Sequence, residues 1–208
     1  MKHLFQITLI AILLCLFSCE SENIKFKIKK DAVGNLNKTA AISDLETIFS
    51  MDSIVPTNGI KKSKFSTKTI SEVSKDSIVK KNQIIDPEFS YLKIEIYEKG
   101  GAHLLSLTPS KDSVPTVENI RIHDARYTTE KGVHLNSTFK DIQENYEIKK
   151  IINSLNNLVI LLKGSDLYFT IDKKELPENL RYKANINIEA VQIPETAKIK
   201  YMMLSWNS

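Results

Sequence analysis

The chain has 208 residues, with 29 Lys and Arg against 25 Asp and Glu, a net charge of +4 near neutral pH. So mild an excess gives no electrostatic footprint for nucleic acid, and the length can bury one or two hydrophobic cores. Both cysteines, Cys15 and Cys19, fall in or at the end of an apolar N-terminal run, which excludes a disulfide framework for the remainder.

That run decides compartment. Lys2 and His3 give a basic start, and Leu4 to Phe17 is uncharged and almost wholly apolar. An apolar stretch of about 7–15 residues after a positive start reads as a signal peptide; a membrane span needs about 20. The run ends at Leu16-Phe17-Ser18-Cys19, followed by the acidic Glu20-Ser21-Glu22. These four residues resemble the lipobox of bacterial lipoproteins: Leu three before Cys, a small residue next to it, and the Cys itself. The resemblance implies cleavage between Ser18 and Cys19, a diacylglyceryl thioether on Cys19 and an acylated amine. One acyl chain holds a protein only reversibly, at ~10⁴ M⁻¹, so several make a lasting anchor. Residues 1–18 are therefore expected to be a signal peptide. The alternatives are an ordinary signal peptide with a fortuitous Cys, or an uncleaved anchor. Removal would cost one Lys and no acid, lowering the net charge by one.

Residues 19–30 are read as a lipidated tether and first strand. Ile24-Lys25-Phe26-Lys27-Ile28-Lys29 alternates apolar and basic residues as a half-buried strand does, or as a basic linker near lipid headgroups would. Ser43-Asp44-Leu45-Glu46 has the capping-box form, and Ile42, Leu45, Ile48 and Phe49 share one face, which predicts a short helix over 41–50. Met51 to Val55 is predicted as a strand stopped by Pro56. Residues 57–86 form a Lys-rich insertion, with seven Lys between positions 61 and 81; Lys on a sheet edge blocks further pairing, and a basic patch on anionic lipid is the other reading.

Residues 89–98 and 102–108 are predicted strands about Lys99-Gly100-Gly101, a hairpin signal. A strand over 117–127 follows, then a helix over 137–146 with Phe139, Ile142 and Tyr146 on its face. Strands are predicted at 148–152, 158–163, 167–172, 184–191 and 197–206. Two halves echo each other: Asp44-Leu45 and Phe49 match Asp141-Ile142 and Tyr146, Lys99-Gly100 matches Lys163-Gly164, and Asn119 to Ile122 matches Asn185 to Ile188. The expected fold is α+β: two short helices packed on antiparallel β-meanders, by tandem duplication of one module. Residues 31–127 would be the first module and 128–208 the second.

The segment Tyr127 to Ile142, a strand end turning into a short helix, resembles a motif of small envelope lipoproteins. It is similar to the helix-plus-meander modules of the outer-membrane assembly lipoprotein BamE and of the β-lactamase inhibitor protein, which carries two in tandem, and to uncharacterised Bacteroidota lipoproteins. What this implies is a fold.

For chemistry the chain offers little. It has no G-x-S-x-G, phosphate loop or H-E-x-x-H. His103, His123 and His134 lack metal-ligand spacing; His123 shares a strand face with Arg121 and reads as part of a polar row, His103 as a strand-end surface residue, and His134 as a possible anion contact before a helix. Glu95/Glu98 and Asp172/Glu175 read as solubility charges. No catalytic, cofactor or metal site is therefore expected. Asp52-Ser53, Asp76-Ser77 and Asp112-Ser113, each before an apolar β-branched residue, resemble O-glycan acceptor sites, with Ser53, Ser77 and Ser113 as acceptors; turn chemistry explains them equally. The functional expectation is a non-catalytic binding or scaffold protein, lipid-anchored to the outer membrane, periplasmic or surface-exposed, with an envelope protein or glycan as partner. The alternatives are an inhibitor or immunity-type lipoprotein capping an enzyme and an envelope hydrolase.

Overall fold

The structure is a computed structural model, and it describes residues 24–57, 93–183 and 186–206. It is an α+β fold with two sheets. The strands are β1 (Lys27–Lys29), β2 (Ala32–Val33), β3 (Leu36–Asn37), β4 (Asp52–Thr57), β5 (Lys93–Glu98), β6 (His103–Pro109), β7 (Val117–Ile122), β8 (Thr128–Thr129), β9 (Ile148–Asn153), β10 (Asn157–Leu162), β11 (Leu167–Asp172) and β12 (Ile199–Ser205). The helices are α1 (Leu45–Ile48), α2 (Phe139–Asn145) and α3 (Glu178–Arg181). The main sheet has eight strands in the order β4-β5-β6-β7-β12-β11-β10-β9, and a small sheet runs β3-β2-β1-β8. The main sheet is thus two four-stranded meanders, each preceded by a helix, that meet where β7 pairs antiparallel with β12.

Alternation explains why the sheet has two faces. One cross-strand row runs Ile54, Ile96, Leu105, Ile122, Met202, Phe169, Ile160 and Ile151 through all eight strands. It belongs to a single hydrophobic core with Phe139 and Ile142 of α2 and Leu45 and Phe49 beside α1. Tyr146, just past α2, lies 6.1 Å from the Phe169 ring and fixes which face the helix covers. One residue out of phase, the other face carries the row Val55, Glu95, Ser106, Arg121, Met203, Tyr168, Leu161 and Lys150.

The two helix starts are held alike. Ala41 bridges Thr116 and Thr138 bridges Lys198, each just before the last strand of its meander. Ile42 N–H donates to Pro115 O at 2.8 Å, and Phe139 N–H to Ala197 O at 2.9 Å. Asp44 and Asp141 each accept from the backbone N–H three residues earlier, at 3.3 and 2.6 Å.

Several sequence expectations need correction. The capping box proposed for Ser43 and Glu46 does not form; Asp44, two residues before Glu46, accepts from Ala41 N–H instead, and Leu45 begins the α-helix after a 3-10 turn over Ile42–Asp44. The strand at β4 is not stopped by Pro56 but runs through it, which a sheet edge tolerates because that residue needs no ladder donor. Ile24–Phe26 is a 3-10 turn, so the first strand is only β1. Residues 186–191 form no strand. Ile188 is buried and Asn187 exposed, as in a strand, but the segment is tied to β9 by Asn153 Nδ2, which donates to Lys183 O and Ile186 O. The fourth strand of the second meander is thus β12, and residues 186–188, matched to β7 in the sequence, lie outside it. The Lys-rich insertion, positions 58–86 of it, lies outside the described residues.

The N-terminal stretch is clamped onto the sheet. Lys25 Nζ donates to Asp52 Oδ1 at 2.9 Å, and Arg126 bridges Glu98 and Asp124 at 2.7 Å each. The Arg126 guanidinium stacks over Phe26 at 4.3 Å, and Phe26 meets buried Tyr127 edge-on.

Candidate functional site

The strongest cluster of polar chemistry lies on the open face, where β5, β6 and the end of β7 run side by side. Glu95 and Tyr97 point there by alternation on β5, and Ser106 and Arg121 by their register with Glu95. His123 follows β7 in phase with Arg121, and its N–H donates to Leu104 O at 2.9 Å. His103 arrives differently. The β5–β6 register slips between Ile96 and Tyr97, so that Leu105 faces Ile96 but His103 faces Tyr97, leaving Leu104 as an extra residue. Strict alternation would put His103 in phase with Leu105 and Leu107, in the core. The bulge turns it to the open face, as bulges do.

Tyr97, His103 and His123 form a three-ring stack, with centroids 4.5 and 3.7 Å apart and planes 22° and 17° from parallel. His103 Nε2 lies 2.9 Å from Glu95 Oε2. The Ser106 hydroxyl donates to the same Glu95 oxygen, and His123 Nε2 is 2.7 Å from Ser106 Oγ. Partial burial pushes the Glu95 carboxyl up, but the Ser106 and His103 hydrogen bonds outweigh it and hold it below the usual carboxylate range. Burial pushes His123 down to about 4, and the charges of His103 and Arg121 act in the same direction. His123 is therefore neutral near pH 7.

These protonation states order the chain of hydrogen bonds. Ionised Glu95 accepts from Ser106 and His103, and Ser106, its one hydrogen spent on Glu95, accepts from His123 Nε2–H. The hydroxyl is not aimed at an imidazole lone pair, so Ser106 is a relay and not a nucleophile paired with a histidine base. Next to it, Arg121 stacks its guanidinium over Tyr201 at 3.7 Å, a cation–π contact, and its Nε is buried without a hydrogen-bond partner among the described residues.

The other flagged residues scatter. Ser18, Cys19 and Ser77 lie outside the described residues. Ser53 is exposed on edge strand β4 and Ser113 is exposed in the β6–β7 connection. His134 Nδ1 accepts from Asn136 N–H at 3.2 Å, which makes the ring part of the turn before α2. Glu98 pairs with Arg126 and Lys25, Asp172 accepts from Lys200 Nζ at 2.7 Å, and Glu175 accepts from Lys198 N–H; these acids are structural partners as well as surface charges. A cavity of about 140 Å³ lies apart from the cluster, lined by Lys25, Val33, Phe49, Met51, Asp52 and Tyr127 among others.

The cluster brings together Glu95, His103 and His123, which the sequence read separately, and adds Ser106, which it missed. Among the described residues no helix is long and apolar enough to cross a membrane. No family model matches the chain, and no curated protein matches it. A solved structure described as the uncharacterized protein yfeY from Escherichia coli is similar in fold, with a TM-score of 0.50 at 9% identity, over 86% of this chain and 99% of that one.

Proposed function

We propose that this protein is a lipid-anchored component of a bacterial cell envelope that acts by binding, not by catalysis, through the open face of its eight-stranded sheet. The observation that carries the binding reading is the open row. Between edge residues Val55 and Lys150 it is polar at Glu95, Ser106 and Arg121 and apolar at Met203, Tyr168 and Leu161. Tyr97 and Tyr201 lie on the same face. Aromatic rings and Arg beside aliphatic area are the side chains that dominate interface energies. The anchoring reading rests on Leu16-Phe17-Ser18-Cys19 behind the apolar run. Lys25, held by Asp52, joins the tether directly to the sheet.

The architecture we read as a duplication of one module, 31–127 and 128–208. In support, the same offset relates Asp44 to Asp141, Leu45 to Ile142 and Phe49 to Tyr146, and the same backbone bonds hold both helix starts. The partner is an envelope protein or glycan. An inhibitor-like or immunity-type role, capping an enzyme, is the second reading, and the three tyrosines on the open face favour it. A hydrolase is the least supported, because the Ser106 hydrogen is directed to Glu95.

Photo-crosslinking in cells tests the binding reading. A photoreactive residue replacing Tyr168 should give discrete adducts with an envelope protein or glycan. The same residue replacing Glu46, exposed on α1, should not. Adducts to lipid alone from Tyr168, or equal adducts from both positions, would overturn it.

A further inference from the structure

The cluster on the open face has a second property, independent of anchoring and of partner binding. One carboxylate and two imidazoles converge, with donor atoms of Glu95, His103 and His123 all within 4.8 Å of one another. They come from two neighbouring strands and the end of a third, so the sheet itself fixes their backbones. We propose that Glu95, His103 and His123 form a three-donor site for a divalent transition-metal ion of the zinc class, with water completing the shell.

The donor set selects the class. Two imidazole nitrogens and one carboxylate oxygen suit zinc, nickel, cobalt and copper(II). Magnesium and calcium require mostly oxygen donors, and copper(I) prefers the thiolate or thioether that this cluster lacks. Three protein ligands plus an open position is the arrangement of an accessible site and not of a closed structural one. His103 Nε2 and Glu95 Oε2 are 2.9 Å apart, and would separate to about 3.3 Å to become neighbouring ligands on tetrahedral bonds of roughly 2.0–2.1 Å. Ser106, donating to Glu95, is an outer partner that orients the ligating carboxylate, a common feature of metal sites.

Two conditions bound the affinity. The imidazoles stack at 3.7 Å and 17°, so directing both Nε2 lone pairs at one ion opens the stack into a V and moves each ring hydrogen to Nδ1. The His103 side chain is 30% exposed, which leaves it solvent to move into. Arg121 and Lys93 add positive charge near His123 and oppose a cation. The site is therefore weaker than a closed four-ligand one.

Untagged full-length protein, purified in detergent and stripped with chelator, is titrated with Zn²⁺ by calorimetry. One ion per chain is expected. His103→Ala and His123→Ala should each weaken binding by about tenfold or more, since loss of an outer partner alone costs that much. His134→Ala and Cys19→Ser should leave it unchanged. Co²⁺ added to the unsubstituted protein should give visible absorption of a four- or five-coordinate N/O site, and Zn²⁺ should remove the ring-current shifts of the stacked imidazoles. Absence of saturable Zn²⁺ binding, binding indifferent to both His103→Ala and His123→Ala, or a Co²⁺ spectrum matching the hydrated ion overturns the proposal. The Co²⁺ result decides even where a substituted chain fails to fold.

Discussion

Gly34 turns the β2–β3 hairpin at φ +59°, and a Cβ there would overlap the Lys25 carbonyl oxygen. Both facts demand glycine. Gly34→Ala should destabilise the protein by about 1–3 kcal/mol, measured by denaturant unfolding; an unchanged midpoint would mean the hairpin relaxes freely. At the start of α2, the Thr138 N–H and hydroxyl hold the Asp141 carboxyl below its ordinary range. A lowered folded-state pKa gives stability that is complete above the unfolded value near 3.8 and lost as pH falls through the folded one. Asp141→Ala should therefore cost about 0.5–1 kcal/mol at pH 7, and the gap to the unsubstituted protein should close as pH falls past 3.8 and through the lowered folded value. A gap independent of pH would place the effect elsewhere. At this scale the candidate site was half legible. Alternation along β7 puts Arg121 and His123 on one face, as the sequence implies. Alternation along β6 would put His103 in phase with the core residues Leu105 and Leu107; the sequence read it as a strand-end surface residue, and the bulge at Leu104 is what turns it to the open face. A bulge leaves no residue type that marks it in so short a strand. Ser106 gave no signal at all, because its meaning comes from a cross-strand neighbour.

Helices α1 and α2 and the hairpins at Lys99 and Lys163 were legible because each has a local cause, whereas α3 and the short β1–β2–β3 meander were not expected. Phe139 and Ile142 mark the buried face of α2, and Lys99-Gly100-Gly101 and Lys163-Gly164 mark the turns before β6 and β11. The segment after Lys183 was misread because alternating burial is necessary for a strand but not sufficient; it also needs a neighbour offering ladder bonds, and here the side chain of Asn153 supplies them instead. Strand order could not be read either. Nothing local says that β7 meets β12, which is decided by complementary apolar rows: Ile122 faces Met202 and Ile120 faces Leu204. That seam makes a prediction. Phe139→Ala, deep in the core, should cost about 3–5 kcal/mol, and because one core serves both meanders, residues of each should unfold in a single transition when followed by hydrogen exchange. Independent unfolding of 148–172 and 93–122 would show two cores instead of one.

For the whole molecule, one sheet face is spent on the core and, among the described residues, the other is left to the surroundings. The clamp of Lys25, Phe26 and Arg126 fixes the first described residues against β4 and β5. The binding role proposed above uses that free face as its surface and the lipid as its address. On the anchoring proposed above, the address would depend on Cys19. Growth with labelled fatty acid, followed by fractionation, should give a labelled protein in the membrane. Cys19→Ser should abolish the label and release an unprocessed or soluble form. Absence of label in the unsubstituted protein, or retention and maturation unaffected by Cys19→Ser, would contradict the account.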